Sequence, residues 1–184
     1  QRSAPRLLQT GWLLQQTREY AAATEHYQQA LAAYPTNAPE QCQLHLQLAE
    51  CQMLQGQSAQ ADATLEHGLR SFPGDPGLLT TLAHLRWQRG DRLAAIAIAR
   101  QLTERDPERV SSWHLLGVFL QDSGDWLAAD PCFDQVQRRD LSQSDALFRR
   151  AQIQARAGRP GDAQWLLQQV LHHQPDAQPA QTLM

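Results

Sequence analysis

The side chains with the greatest chemical potential in this chain are its arginines, histidines and tryptophans. All 16 basic residues are arginine, against 19 Asp and Glu, a bias expected of a GC-rich bacterial genome. Six of them fall between positions 138 and 159 (Arg138, Arg139, Arg149, Arg150, Arg156 and Arg159), opposed there only by Asp140 and Asp145. Arg149 and Arg156 are seven apart, so on a helix they share one face. Two guanidinium groups so placed can clamp a carboxylate or an acidic peptide stretch through bidentate hydrogen bonds. The competing reading is a solvated basic face with local ion pairs. The seven histidines invite a metal, yet His172 and His173 are adjacent, so their side chains diverge on a helix and suit its negative end instead. Cys42, Cys51 and Cys132 form no CxxC pair, and their odd number leaves at least one thiol free; they read as small buried apolar residues. There is no G-x-S-x-G, no Gly-rich phosphate loop, no H-E-x-x-H and no metal-spaced Cys/His cluster. The sequence therefore reads as a non-enzyme and implies no cofactor and no metal site.

The elements that must position these side chains repeat. Pro73, Pro107 and Pro175 lie at multiples of 34 residues, with Leu141 in the missing slot, and Pro35 lies four residues further out. Gly56, Gly90, Gly124 and Gly158 recur every 34 residues, and Arg18 holds the equivalent place near the start. The segment from Trp113 is the clearest: Trp113, Leu116, Gly117 and Leu120 lie at i, i+3, i+4 and i+7, one stripe of a helix. Gly124 ends that helix, Asp125 can N-cap the next, and Trp126, Ala129, Phe133 and Val136 form a second stripe. Ala, Leu and Gln dominate, favouring helix over strand. Helices are predicted near 4–17, 20–34, 38–55, 58–72, 76–89, 92–106, 109–123, 126–140, 143–157 and 160–174. Pro76 and Pro160 suit first helical turns. Pro131 falls inside the eighth helix, where a bend is expected. The four extra residues before Gln41 should lengthen the first inter-repeat turn or the helix after it.

This pattern of small, large and breaker positions resembles the tetratricopeptide repeat family over about residues 4–175. The first repeat carries Leu7, Gly11, Leu14, Tyr20, Ala23, Tyr27, Ala30 and Pro35; the second carries Leu48, Ala49, Gly56, Ala61, Leu65, Gly68 and Pro73. The third has Leu79, Leu82, Ala83, Gly90, Ala95, Leu102 and Pro107, and the fifth Leu147, Ala151, Gly158, Ala163, Leu167, Val170 and Pro175. The resemblance implies an all-α fold: a right-handed α-solenoid of five helix–turn–helix repeats, about ten antiparallel helices in a single array. The repeats are expected at about 4–37, 38–75, 76–109, 110–143 and 144–177, with 178–184 a truncated further helix or a frayed tail. Three residues depart from the pattern: His45 replaces a large apolar residue, Ala99 fills an aromatic slot, and Arg150 stands where the fourth repeat has Leu116. Arg150 is read as a sign that the last repeat packs against something further.

In this family the first helix of each pair lines the concave surface. The stripe left free of interhelix packing runs through Leu8, Trp12 and Gln15, then Gln43, Leu46, Glu50 and Met53, then Thr80, His84 and Trp87. It continues through Ser111, His114, Val118 and Gln121, and ends in Asp145, Phe148, Arg149, Gln152 and Arg156. The expected peptide-binding groove is Trp12, Leu46, Glu50, Met53, His84, Trp87, His114, Val118, Gln121, Arg149, Gln152 and Arg156. Trp12 and Trp87 are its expected anchors, because aromatic residues dominate binding hot spots. Trp113 and Trp126 occupy core slots and are read as structural, and Trp165 as cover for an exposed end. The family's chaperone-tail subgroup grips a C-terminal carboxylate with Lys and Asn; neither stands at an inward position here, so that specificity is not expected. The function expected is a protein–protein interaction scaffold holding a peptide or protein segment. The alternatives are a non-catalytic arm of a larger bacterial enzyme, of transferase or oxygenase type, and a module that self-associates through its solenoid ends. The net charge of −3 argues against a nucleic-acid partner, and no apolar run reaches the ~20 residues of a membrane span. The cytoplasm is the default compartment, the periplasm the alternative.

Overall fold

The computed structural model describes residues 3–36, 38–140 and 143–173. Within them lie ten α-helices: α1 (Ala4–Gln16), α2 (Tyr20–Ala33), α3 (Pro39–Leu54), α4 (Ser58–Ser71), α5 (Pro76–Gln88), α6 (Arg92–Arg105), α7 (Val110–Asp122), α8 (Trp126–Arg139), α9 (Ser144–Arg156) and α10 (Pro160–His173). Their bounds agree with the spacing-based expectation to within a residue or so at each end. Leu141, Pro175 and the expected truncated helix at 178–184 lie outside the described residues. Two compact units divide within α6, one ending at Ile98 and the other beginning at Ala99.

The helix ends follow from local chemistry. After each first helix the chain reverses through a left-handed residue: Gly56, Gly90, Gly124 and Gly158 have φ of +73 to +90°, and Arg18 has φ +65°. Each closes the same pair of hydrogen bonds. Gly56 N–H donates to the Met53 carbonyl and Gln57 N–H to the Gln52 carbonyl; Arg18 N–H donates to Gln15 and Glu19 N–H to Leu14. These two hydrogen bonds satisfy carbonyls that the helix end would otherwise leave open. Glycine adopts that φ freely, whereas Arg18 holds it against its own Cβ. Asp125 caps α8 as expected, its Oδ1 accepting from Ala128 N–H at 3.1 Å, and Asp75 caps α5 in the same way through Leu78 N–H at 2.9 Å. α8 continues through Pro131 as one helix, because a proline so near a helix start deletes few intrahelical bonds. α3 has 16 residues where the other first helices have 13. It absorbs most of the extra length seen in the sequence.

In the N-terminal unit, Leu7, Ala23, Tyr27, Ala30, Leu44, Leu48 and Cys51 form one buried cluster. Ala49, Ala61, Leu65, Leu78, Leu82 and Leu85 form the next. In the C-terminal unit, Leu116, Phe119, Phe133 and Val136 are buried, and Leu147, Ala151, Leu166, Leu167 and Val170 close a further cluster.

One pair of slots, 16 residues apart, sets how closely the two helices of a repeat approach. A Cβ at Gly11 would lie 2.7 Å from Tyr27 Cε1, and one at Gly117 would lie 2.8 Å from Phe133 Cε1. Where the second slot holds leucine, the first holds alanine: Ala49 packs in one cluster with Leu65, and Ala151 with Leu167. The small residue is thus sized to its partner, glycine under a ring and alanine under a branched chain.

The two polar departures from the repeat pattern have different fates. His45 is 2% exposed, and neither ring nitrogen has a hydrogen-bond partner. Its ring meets His67 edge-on at 5.1 Å. Burial, aided by His67, pushes its pKa down to about 4. Arg150 instead is fully engaged: its guanidinium reaches Asp130 at 3.2 Å and Asp134 at 2.8 Å and donates to Gln137. The acidic face of α8 therefore supplies a reason for Arg150 within the described residues.

Candidate binding surface

The first-helix stripe of the N-terminal unit is built on α1, α3 and α5. Trp12 is 51% exposed. One turn further along α1, Gln15 bridges two neighbours: Tyr27 Oη donates to Gln15 Oε1 at 2.8 Å, and Gln15 Nε2 donates to Glu50 Oε2 at 2.9 Å. The Tyr27 ring is fully buried, and its hydroxyl is held far above its ordinary pKa by burial, with the charges of Cys51 and Glu50 adding to the effect. It therefore stays a neutral donor and fixes the Gln15 amide so that the NH2 faces Glu50. Leu46 and Met53, one turn before and after Glu50 on α3, are half-buried against the second cluster. On α5, His84 is exposed and Trp87 half-buried, the latter with the Arg92 guanidinium 5.4 Å from its ring centre.

In the C-terminal unit the stripe is a continuous polar network. His114 Nε2 lies 2.7 Å from Asp145 Oδ2, and Arg149 Nε donates to the same oxygen at 2.8 Å. Arg149 Nη1 donates to Gln121 Oε1 at 2.9 Å, and Gln121 Nε2 donates to Gln152 Oε1 at 3.3 Å. The hydrogen bond from His114 outweighs partial burial and, with that from Arg149, holds the Asp145 carboxyl down at about 2. Val118 sits half-buried between His114 and Gln121 on α7. Phe133 lies beneath the network, with His114 edge-on at 6.0 Å and the Arg149 guanidinium 5.9 Å from its centre.

The structure thus joins His114, Gln121, Arg149 and Gln152 into one network and, separately, ties Glu50 to the α1 stripe. It differs from the sequence reading in three respects. Gln121 is 5% exposed, so it serves the network and is not an open groove donor. Arg149 and Arg156 share a face but do not converge: Arg156 stacks 4.1 Å over the Trp126 ring. The two arginines, seven apart on α9, thereby cover two rings seven apart on α8. Trp113 and Trp126 are half-buried and not core, since Trp113 Nε1 needs the Pro107 carbonyl, which it reaches at 2.7 Å. Asp145 and Gln15, which organise both surfaces, appeared in the sequence only as stripe members. Nothing in their types announced the bonds that neighbouring first helices impose. Trp165 is 56% exposed and lines a cavity of about 360 Å³ with Asp130, Arg150, Gln154, Arg159, Asp162 and Leu166.

All three cysteines are free thiols, with Cys51 and Cys132 buried. Burial pushes each of the three up to about 11, so none is a thiolate nucleophile near neutral pH. Among the described residues no three His, Cys, Asp or Glu side chains gather to hold a metal, and no helix is long and apolar enough to cross a membrane.

Among solved structures, the chain is similar to YrrB, described as a tetratricopeptide repeat protein with an unusual peptide-binding site: 18% identity, 96% of this chain and 89% of that one, TM-score 0.74. It is similar to MamA at 15% identity over 90% and 94% of the two chains, TM-score 0.77. It also resembles a tetratricopeptide repeat protein from Parabacteroides merdae at 17% identity, covering 98% of this chain and 72% of that one, TM-score 0.83. At such identities the likeness shows the fold, an all-α solenoid class of helix–turn–helix repeats. No curated protein sequence matches the chain. Tetratricopeptide repeat profiles match residues 14–85, 80–129 and 116–178. With the recurring Gly reversals and the small-residue slots of successive helix pairs, these matches establish that the chain belongs to the tetratricopeptide repeat family.

Proposed function

We propose that this chain is a protein-interaction scaffold that holds a peptide or protein segment along the first-helix faces of its repeats. The observation that carries this reading is side-chain bonding between successive first helices. Gln15 to Glu50, His114 to Asp145 and Gln121 to Gln152 each tie one first helix to the next. Groups so tied lose little further rotamer freedom on binding, which lowers the entropic cost of association. Beside them, Trp12 presents a half-exposed indole, a side chain enriched at binding hot spots. The groove reading comprises Trp12, Leu46, Glu50, Met53, His84 and Trp87 in the N-terminal unit, and His114, Val118, Arg149 and Gln152 in the C-terminal unit, where buried Gln121 holds Arg149 and Gln152 in place and Arg156 is held on the Trp126 ring. YrrB, whose description names a peptide-binding site, supports a peptide-sized occupant.

The test is capture of partners by the whole chain, followed by titration calorimetry of each against Trp12→Ala, Trp87→Ala and Gln152→Ala. A partner of this face loses affinity in at least one of the three by about tenfold, the scale of a lost anchor. Unchanged affinity in all three for every partner rejects the assignment of the face.

A further inference from the structure

We infer that the N-terminal unit recognises a basic side chain, Lys or Arg, of a partner protein segment, with the Glu50 carboxylate as its acceptor. This deepens the groove reading and rests on it. Four observations on one surface carry the inference.

First, Glu50 is exposed, and among the described residues no cation meets it. Its one hydrogen bond is the neutral amide of Gln15 on Oε2. Second, that carboxylate is oriented. Tyr27 Oη fixes the Gln15 carbonyl and Gln15 Nε2 fixes Glu50 Oε2, which leaves Oε1 without a hydrogen bond among the described residues. Third, its negative charge is felt locally: it helps raise both the Tyr27 hydroxyl and the Cys51 thiol, behind the larger effect of burial. A partner cation would relieve that unbalanced charge, and a charge-assisted hydrogen bond to a pre-oriented acceptor is the stronger kind. Fourth, apolar surface flanks the carboxylate. Trp12 stands one turn before Gln15 on α1, and Leu46 and Met53 stand one turn either side of Glu50 on α3. Lys and Arg lay aliphatic stems along such surface while their heads reach a polar group, and an indole face attracts a cation directly.

The C-terminal unit lacks this character. Its one stripe carboxylate, Asp145, is already met by His114 and Arg149. The preference for a basic residue is therefore a property of the N-terminal unit. An acidic partner segment is disfavoured there, because it would set like charges together.

The experiment uses the whole chain, immobilised, and a peptide library with one position fixed as Arg, Lys, Gln or Glu and the others randomised. The wild-type chain should retain the Arg and Lys pools about fivefold over the Gln pool, as expected for one partly solvated charge pair, and the Glu pool least. Glu50→Gln, which keeps the bond to Gln15, should equalise the Arg, Lys and Gln pools. The wild-type preference should fall in high salt. Equal retention of all four pools by the wild-type chain, including no retention, overturns the inference, as does an unchanged preference in Glu50→Gln. Equal pools that are still lost in Trp12→Ala overturn it while leaving the groove reading intact. Retention indifferent to Trp12→Ala, Trp87→Ala and Gln152→Ala alike overturns the groove reading as well.

Discussion

Gly117→Ala isolates the feature that sets interhelix distance in the fourth repeat. The added Cβ would lie 2.8 Å from Phe133 Cε1, 2.9 Å from Cζ and 3.1 Å from Cδ1, well inside the ~3.5–4.0 Å of favourable carbon contact. Phe133 is fully buried, so its ring has no exit to solvent. Overpacking of this kind costs about 1–3 kcal/mol. Alanine returns up to about 1 kcal/mol through its better helix propensity. The net expectation is a loss of about 1–2 kcal/mol, read as a lower urea midpoint by circular dichroism. Gly161→Ala serves as the control, because nothing lies within 4 Å of its Cβ position; it should be neutral or slightly stabilising. The decisive variant is Gly117→Ala with Phe133→Leu, which recreates the alanine–leucine pair of the second and fifth repeats. The double variant should be about 1–2 kcal/mol more stable than the sum of the single changes, within the range of coupling for residues in contact. Strict additivity, or a Gly117→Ala chain as stable as the wild type, would refute the account of the slot pair.

Three further outcomes follow from the described geometry. His45 has a folded-state pKa lowered to about 4 from 6.5, so the unfolded chain binds the extra proton between those values. The His45 contribution to stability should fall by about 3 kcal/mol as pH drops from near 6.5 to near 4. His45→Leu should remove that contribution, leaving the slope from His84, also lowered by burial, and raise the urea midpoint at neutral pH. Arg18→Gly should stabilise by about 0.5–1 kcal/mol, because relief of the left-handed strain exceeds the added backbone freedom of glycine in the unfolded chain; a destabilised variant in thermal melts would contradict the assigned φ. Arg150→Ala removes the cation that joins Asp130 to Asp134, leaving Asp134 only Arg138, and should cost about 1–3 kcal/mol, read as a lower urea midpoint.

The fold was legible because its determinants are local and periodic. Gly56, Gly90, Gly124 and Gly158 announce reversals at 34-residue spacing, and Asp125 announces the helix that follows. Arg18 was legible as the holder of a glycine position, though not as a residue keeping the left-handed conformation. The binding surface was legible only to the level of a stripe. Spacing along one helix puts His114 and Gln121 on a common face, but the bonds they make reach 31 residues further on. That offset depends on how neighbouring first helices stack, which periodicity within one helix does not encode. The same limit explains Arg149 and Arg156. Their shared face follows from spacing, as does the bond from Arg149 to Asp145 one turn before it on α9, whereas the bond to Gln121 and the stacking of Arg156 on the Trp126 ring depend on other helices. Gln41 illustrates the opposite case: it is buried and donates to the Leu31 and Tyr34 carbonyls at the end of α2, a role no sequence signal announced.

The matched slots of Gly11 with Tyr27, Gly117 with Phe133, Ala49 with Leu65 and Ala151 with Leu167 also bear on recombination. Two such repeats cannot trade a single helix without consequence. Grafting α9 in place of α7 would set an alanine against Phe133, and the reverse graft would leave a void beside Leu167. A crossover placed between repeats carries both members of the pair together and preserves the fit. A crossover at the Gly124 reversal separates them. The smallest piece that can be shuffled among these repeats is therefore the whole hairpin, and chimaeras joined within one should fold less well than those joined between two.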